Sequence, residues 1–313
     1  MADKIRFVYF GSSQFSRIVL EALCDRKVIP QLVISKPDKP KGRGMMTLPT
    51  EISSFAKSRN IPLIKPESLN SREFNETILN DKPDVFVIVD YGHIIPAALI
   101  SIPDIFPLGV HPSLLPKYRG PAPIEYAIMN GDTNTGITIF KVNEKVDSGG
   151  IILQKNIVIN DNDDYFSLRD RLAFQSSPLL VETISKIKSN KYELIPQNEN
   201  DAVLTRKFKK EDGRINWVLP ALKIRNIIRA TLEWPSAYTH YKDLLIKILD
   251  ADIIKTFNTG LPGTIMAVSK EGITVAAKSG MLRIKKVKPQ GKNVMSAWSF
   301  VCGYHLSVGE KFS

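Results

Sequence analysis

Cysteine and histidine are scarce in this chain. Two cysteines and four histidines occur among 313 residues. Cys24 and Cys302 are far apart, and His93, His111, His240 and His305 are scattered. No metal-ligand spacing results, so no metal is expected, and a disulfide framework is excluded; the thiols read as reduced, in a cytoplasmic protein. No apolar run approaches the roughly 18 residues of a membrane span. The opening MADKIRFVYFGSS has a short apolar run that passes into Gly-Ser-Ser. It reads as a first buried strand, because a signal peptide needs a longer apolar region. The turn after it, GSSQFS, lacks G-x-G-x-x-G and argues against a bound dinucleotide. Internal repeats and low-complexity tracts are absent as well.

What is present is organised unevenly. The chain is too long for one small core, and its hydrophobic fraction of 43% suffices for two. Residues 206–313 hold 19 Lys and Arg against 8 Asp and Glu, whereas residues 1–205 hold 24 of each. The whole net charge of +11 therefore belongs to the C-terminal third. A neutral domain joined to a basic one points to chemistry in the first and polyanion capture in the second. The alternative is a generally basic protein with solvated lysines. The expected division is a catalytic domain over residues 1–190, a linker over 191–206 and a basic domain over 207–313.

Short apolar runs alternate with amphipathic ones in the first half. Strands are expected at Ile5–Phe10, Gln31–Ser35, Pro62–Ile64 and Asp84–Val89, and helices at Phe15–Cys24, Glu51–Arg59 and Arg72–Leu79. A longer helix is expected at Ser167–Asn190. Such alternation implies an α/β, Rossmann-like doubly wound sheet with its ligand crevice at the strand C-termini. After a short helix at Ala221–Ala230 come five short strands, Tyr238–Tyr241, Leu244–Asp250, Gly263–Val268, Gly272–Ala276 and Met281–Lys288. Their spacing predicts a small OB-fold-like β-barrel.

The most informative stretch is residues 109–150, GVHPSLLPKYRGPAPIEYAIMNGDTNTGITIFKVNEKVDSGG. Pro112, Pro116, Gly120, Pro121 and Pro123 exclude a regular helix beside His111. A histidine, with a reference pKa of about 6.5, suits proton exchange near neutrality. Asp147 at the far end is either its partner or the turn former of an Asp-Ser-Gly-Gly turn.

SLLP at 113–116 followed by Asp-Ser-Gly at 147–149 resembles the signature of 10-formyltetrahydrofolate-dependent formyltransferases. Along its full length the chain is similar to the methionyl-tRNA branch of that family. The resemblance implies transfer of a formyl group to the α-amino group of initiator methionyl-tRNA, by a cytoplasmic enzyme that works as a monomer, consumes 10-formyltetrahydrofolate as co-substrate and uses no metal. It makes His111 and Asp147 catalytic. It assigns folate binding to Ser113, Leu114, Leu115, Pro116, Tyr91 and Gly92.

One position departs from the pattern. The family carries Asn two residues before the histidine, and here Gly109 has no side chain to donate. Loss of one oxyanion donor typically costs about 10²–10³ in rate. Three outcomes stay open: another group replaces the Asn, the enzyme is slower, or catalysis is lost. His93 and Asp90 are candidate replacements, and the alternative for His93 is an ordinary loop histidine.

Ser35–Thr50, SKPDKPKGRGMMTLPT, reads as sixteen residues without regular structure. It resembles the family's tRNA-approaching loop, which implies that Lys41 and Arg43 contact tRNA. Lys207, Lys209, Lys210, Lys285 and Lys286 would hold tRNA phosphates in the basic domain. Trp234 is expected in the core. The rival functions are formylation of a nucleotide-linked aminosugar, hydrolysis releasing formate, and a tRNA- or folate-binding paralogue impaired at Gly109.

Overall fold

A computed structural model describes residues 5–41, 46–254 and 260–313. They fall into two compact units: 1–123 with 134–158 and 169–205, and 124–133 with 159–168 and 206–313.

The first unit opens with β1 (Phe7–Gly11), α1 (Gln14–Asp25) and β2 (Leu32–Ile34). A hairpin, β3 (Lys39–Lys41) and β4 (Met46–Leu48), precedes α2 (Glu51–Ser58). Then follow β5 (Leu63–Ile64), α3 (Arg72–Asp81), β6 (Val85–Val89), α4 (Ala97–Ile100) and β7 (Phe106–His111). Helix starts obey capping chemistry: the Ser13, Thr50 and Ser71 side chains accept from backbone N–H groups of α1, α2 and α3. Strands β5, β2, β1, β6 and β7 lie side by side in parallel. Phe10, Phe86 and Tyr91 meet in one of their buried clusters, where each large apolar side chain contributes about 1.5–3 kcal/mol.

The four expected parallel strands are joined by β7 and by two antiparallel strands, none of which the alternation revealed. After α5 (Pro123–Asn130), β8 (Asn134–Lys141) pairs antiparallel with β7, and β9 (Ile151–Val158) with β8. Pro123 starts α5, the one helical position where a missing N–H costs nothing. The helix α6 (Tyr165–Lys188) tolerates Pro178 in its interior. The Ser35–Thr50 segment is not wholly irregular, because β3 and β4 pair from Lys39↔Leu48 to Lys41↔Met46. Arg43 lies outside the described residues.

The second unit contains α7 (Ala221–Ala230), β10 (Tyr238–Tyr241), β11 (Leu244–Ile254), β12 (Ile265–Ser269), β13 (Gly272–Ala276), β14 (Met281–Pro289), β15 (Met295–Ser296) and α8 (Ala297–Tyr304). Its sheet is antiparallel, in the order β10-β11-β14-β13-β12, with β15 on β14. Ile224, Ile227 and Ile228 of α7 and Phe300 and Val301 of α8 share one core with that sheet. Trp234 departs from expectation. It is 55% exposed, and its indole N–H donates to the Phe208 carbonyl at 3.2 Å.

Candidate active site

His111 ends β7, where a parallel strand opens into its C-terminal crevice. It is buried, at 6% exposure, so the groups that face its two ring nitrogens decide their roles. Nε2 lies 2.8 Å from the Tyr118 carbonyl oxygen. A carbonyl only accepts, so the neutral ring carries its proton on Nε2 and leaves Nδ1 as the basic nitrogen. Asp147 Oδ2 faces Nδ1 at 3.5 Å. The same oxygen accepts from the Gly120 N–H at 2.8 Å, which fixes the carboxylate. Nδ1 is therefore a proton acceptor with an anion beside it.

The route by which Asp147 arrives follows from register. Leu108 pairs with Lys141 and His111 with Thr138, so the β8–β9 loop leaves the sheet three residues away from His111. Only a loop that turns back over the sheet brings Asp147 to the ring. Asp147 accordingly has φ +50°, a left-handed conformation that costs a non-glycine residue of order 1–3 kcal/mol. Two residues on, the Lys141 carbonyl occupies the space of a Cβ on Gly149, so the turn closes only with glycine there.

Gly109 and His111 are two residues apart on β7 and so share a face. Opposite Gly109 stands Phe140, and opposite His111 stands Thr138. A Cβ on residue 109 would lie 2.5 Å from Phe140 Cζ and closer still to Cε1. Phe140 is buried with Leu115 and Ile151. An Asn at 109 is thus excluded unless that ring moves. Thr138 Oγ1 donates to the Ser113 carbonyl at 2.7 Å and accepts from Leu115 N at 3.1 Å, holding the SLLP turn against the sheet.

The residues expected to bind folate divide into two groups. Ser113 and Leu115 are buried and used internally: Ser113 Oγ donates to the Lys117 carbonyl, and the Leu115 carbonyl accepts from Gln154 at 2.8 Å. Tyr91 is core, its hydroxyl pushed up to about 12 by burial. Leu114 and Pro116 are half-buried and Gly92 is exposed, with the Lys36 ammonium where a Cβ on Gly92 would project. These offer an apolar wall, bare backbone and a cation, which suit a flat, partly anionic ligand. His93 is exposed and meets Tyr91 edge-on at 5.7 Å; Asp90 is exposed, with φ +42°.

In the second unit Lys207, Lys209, Lys210 and Lys286 are exposed. Lys285 differs, because its ammonium lies 3.2 Å from Asp250 and 3.1 Å from Asp252. Arg206 is held bidentately by Asp212, both nitrogens at 2.7 Å. A groove of about 560 Å³ in this unit is lined by both signs, including Asp163, Asp250, Asp252, Arg225, Arg229 and Lys286.

Residues 3–184 match the formyl transferase family, and residues 207–305 match the formyl transferase C-terminal domain. The chain belongs to the formyl transferase family. It is 36% identical over 302 residues to the methionyl-tRNA formyltransferase of Thermodesulfovibrio yellowstonii, covering 96% of this chain and 97% of that one. It is 39% identical over 316 residues to the methionyl-tRNA formyltransferase of Dictyoglomus turgidum, covering 98% and 99%. The structure of HypX from Aquifex aeolicus in complex with tetrahydrofolic acid shares the fold, with TM-score 0.68 and 15% identity over 99% of this chain and 49% of that one.

Within this formyl transferase fold, the sequence left Tyr118, Arg119, Phe140 and Gln197 unassigned. Tyr-Arg-Gly, one residue after SLLP, was the available signal for the first two. Gln197 lay in a polar stretch and carried none. Among the described residues no cluster of His, Cys, Asp and Glu could hold a metal ion, and no helix is long and apolar enough to cross a membrane.

Proposed function

We propose that the chain transfers the formyl group of 10-formyltetrahydrofolate to the α-amino group of initiator methionyl-tRNA, as a monomer in the cytoplasm. The observation that carries this reading is identity of 36–39% over essentially full length with proteins of that name, spanning both units. Residues 1–190 would perform the transfer, 191–206 would join the domains, and 207–313 with Lys41 and Arg43 would hold the tRNA.

Folate supplies an activated one-carbon acyl group when bound. His111 Nδ1 takes the proton that the amine must lose as its nitrogen bonds to the formyl carbon. The bond from that carbon to the folate nitrogen breaks, and tetrahydrofolate leaves with the proton that His111 gives up. Asp147 supplies the negative charge facing the imidazolium so formed. Tyr118 keeps the other ring nitrogen protonated and the ring fixed. Leu114, Pro116 and Gly92 would face the pterin-bearing ligand, with Ser113, Leu115 and Tyr91 supporting that wall from behind. Lys36 would meet its anionic part.

Phe140 beneath Gly109 favours a second reading, a binding protein whose transfer step is weakened. The deciding assay is formyl-methionine production from purified protein, 10-formyltetrahydrofolate and charged initiator tRNA, with His111→Ala alongside. Activity that disappears in His111→Ala supports the transferase. Binding of methionyl-tRNA without product supports the second reading. Formylation of an aminosugar nucleotide that tRNA does not inhibit, or formate release without any amine, would replace both.

A further inference from the structure

We propose that Gln197 is a positioning residue for Asp147, and that Arg119 holds Gln197 in place for that task. The proposal rests on the reading of His111 and Asp147 as the proton-handling pair.

Gln197 spends both hydrogens of its amide on one turn. Nε2 donates to the Asp147 carbonyl at 2.9 Å and to the Gly149 carbonyl at 2.8 Å. Its Oε1 accepts from Arg119 Nε at 2.9 Å. The amide orientation is therefore fixed, since a flip would set oxygen against two carbonyls and nitrogen against a guanidinium. The Arg119 side chain is 5% exposed, and its remaining nitrogens grip Glu199 at 2.9 and 3.0 Å.

Three consecutive residues then divide the work. Tyr118 binds His111 through its carbonyl, Arg119 binds Gln197 through its side chain, and Gly120 binds the Asp147 carboxylate through its N–H. The circuit runs His111, Tyr118, Arg119, Gln197, Asp147 and back to His111. Backbone bonds anchor it from outside. Arg119 N–H donates to the Val203 carbonyl, Thr205 N–H donates to the Arg119 carbonyl, and Ile151 and Ile195 exchange both of theirs. Those bonds fasten the 195–205 segment without any side chain. Gln197 adds what they do not supply: a hold on the carbonyls of Asp147 itself and of Gly149, where the chain leaves the left-handed turn.

The test uses full-length protein. Gln197→Ala and the isosteric Gln197→Glu should each lower kcat by about tenfold or more, with KM for both substrates within about twofold. Arg119→Lys should act in the same direction. In Asp147→Asn, adding Gln197→Ala should cost no more than Asp147→Asn alone, because both act through one carboxylate. A readout independent of activity is the His111 ring resonance in labelled protein, which Gln197→Ala should move as Asp147→Asn does. Unmoved His111 resonances, a wild-type kcat in Gln197→Ala, or effects of the two substitutions that multiply, would overturn the proposal. If Gln197→Ala fails to fold, Gln197→Glu and Arg119→Lys decide by the same criteria. If the native protein makes no formyl-methionine, the assigned reaction falls while the resonances still decide the positioning role.

Discussion

The ring of Phe140 stands where a side chain on residue 109 would project. The two residues are directly opposite across β7 and β8, and the ring lies under Gly109 on the face that carries His111. Gly109→Asn alone should therefore not raise activity. Overpacking of this kind typically costs about 1–3 kcal/mol, so its urea midpoint should also fall. Phe140→Leu in the Gly109→Asn background removes the obstruction at the price of some packing. The double variant should form formyl-methionine faster than Gly109→Asn. A single variant that is both stable and faster than native would show that the ring moves freely and that the pair is not coupled.

His111 and Asp147 should separate in their effects. His111→Ala removes the proton acceptor and should lower kcat by about 10²–10⁴. Asp147→Asn retains an oxygen for the Gly120 N–H, and Asn accepts the left-handed backbone. It removes charge alone, because Tyr118 already fixes the tautomer. A lost charged contact of about 1.5–3 kcal/mol corresponds to a kcat about 10–100 times lower. Rapid-quench rates for both variants check the order. Equal losses would mean that Asp147 does more than balance charge.

Legibility tracked locality. The α7 and β13 boundaries follow from periodicity within the segments themselves, and the structure reproduces them at Ala221–Ala230 and Gly272–Ala276. β8 is buried from Thr135 to Phe140, so NTGITIFK shows no alternation to betray a strand. The hairpin in residues 35–50 hides in Lys, Pro and Gly, residues that seldom form strands. His111 and Asp147 were legible because each sits in a short motif. Phe140 was not, since its place under Gly109 depends on a cross-strand register. Gln197 was not, because its partners Arg119 and Asp147 lie 78 and 50 residues away.

The lysines of the second unit should be unequal toward tRNA. Lys207, Lys209, Lys210 and Lys286 are exposed, whereas Asp250 and Asp252 already hold the ammonium of Lys285. Each exposed lysine that contacts a phosphate should, when changed to Ala, lower the slope of log affinity against log salt by about 0.7–0.9. Lys285→Ala should leave that slope unchanged. Filter binding of initiator tRNA across a salt series measures both, and a slope change in Lys285→Ala alone would reverse the ranking.

Arg206 and Asp212 give the second unit an acid-sensitive contact. The Arg206 guanidinium, bonded to both carboxylate oxygens, holds the Asp212 carboxyl down at about 2, below its ordinary value of 3.8. A carboxyl depressed by folding stabilises the fold above its unfolded pKa and stops doing so as pH falls through its folded one. The stability difference between native protein and Asp212→Asn should therefore be constant from about pH 7 to pH 5. It should shrink from about pH 4 downward and vanish only below about pH 2. The pair is solvent-accessible, so the difference should also shrink in high salt. Urea midpoints for the two proteins at closely spaced pH values between 5 and 3 give the measurement. A difference that stays level through that interval would mean that the guanidinium does not hold the carboxylate in solution.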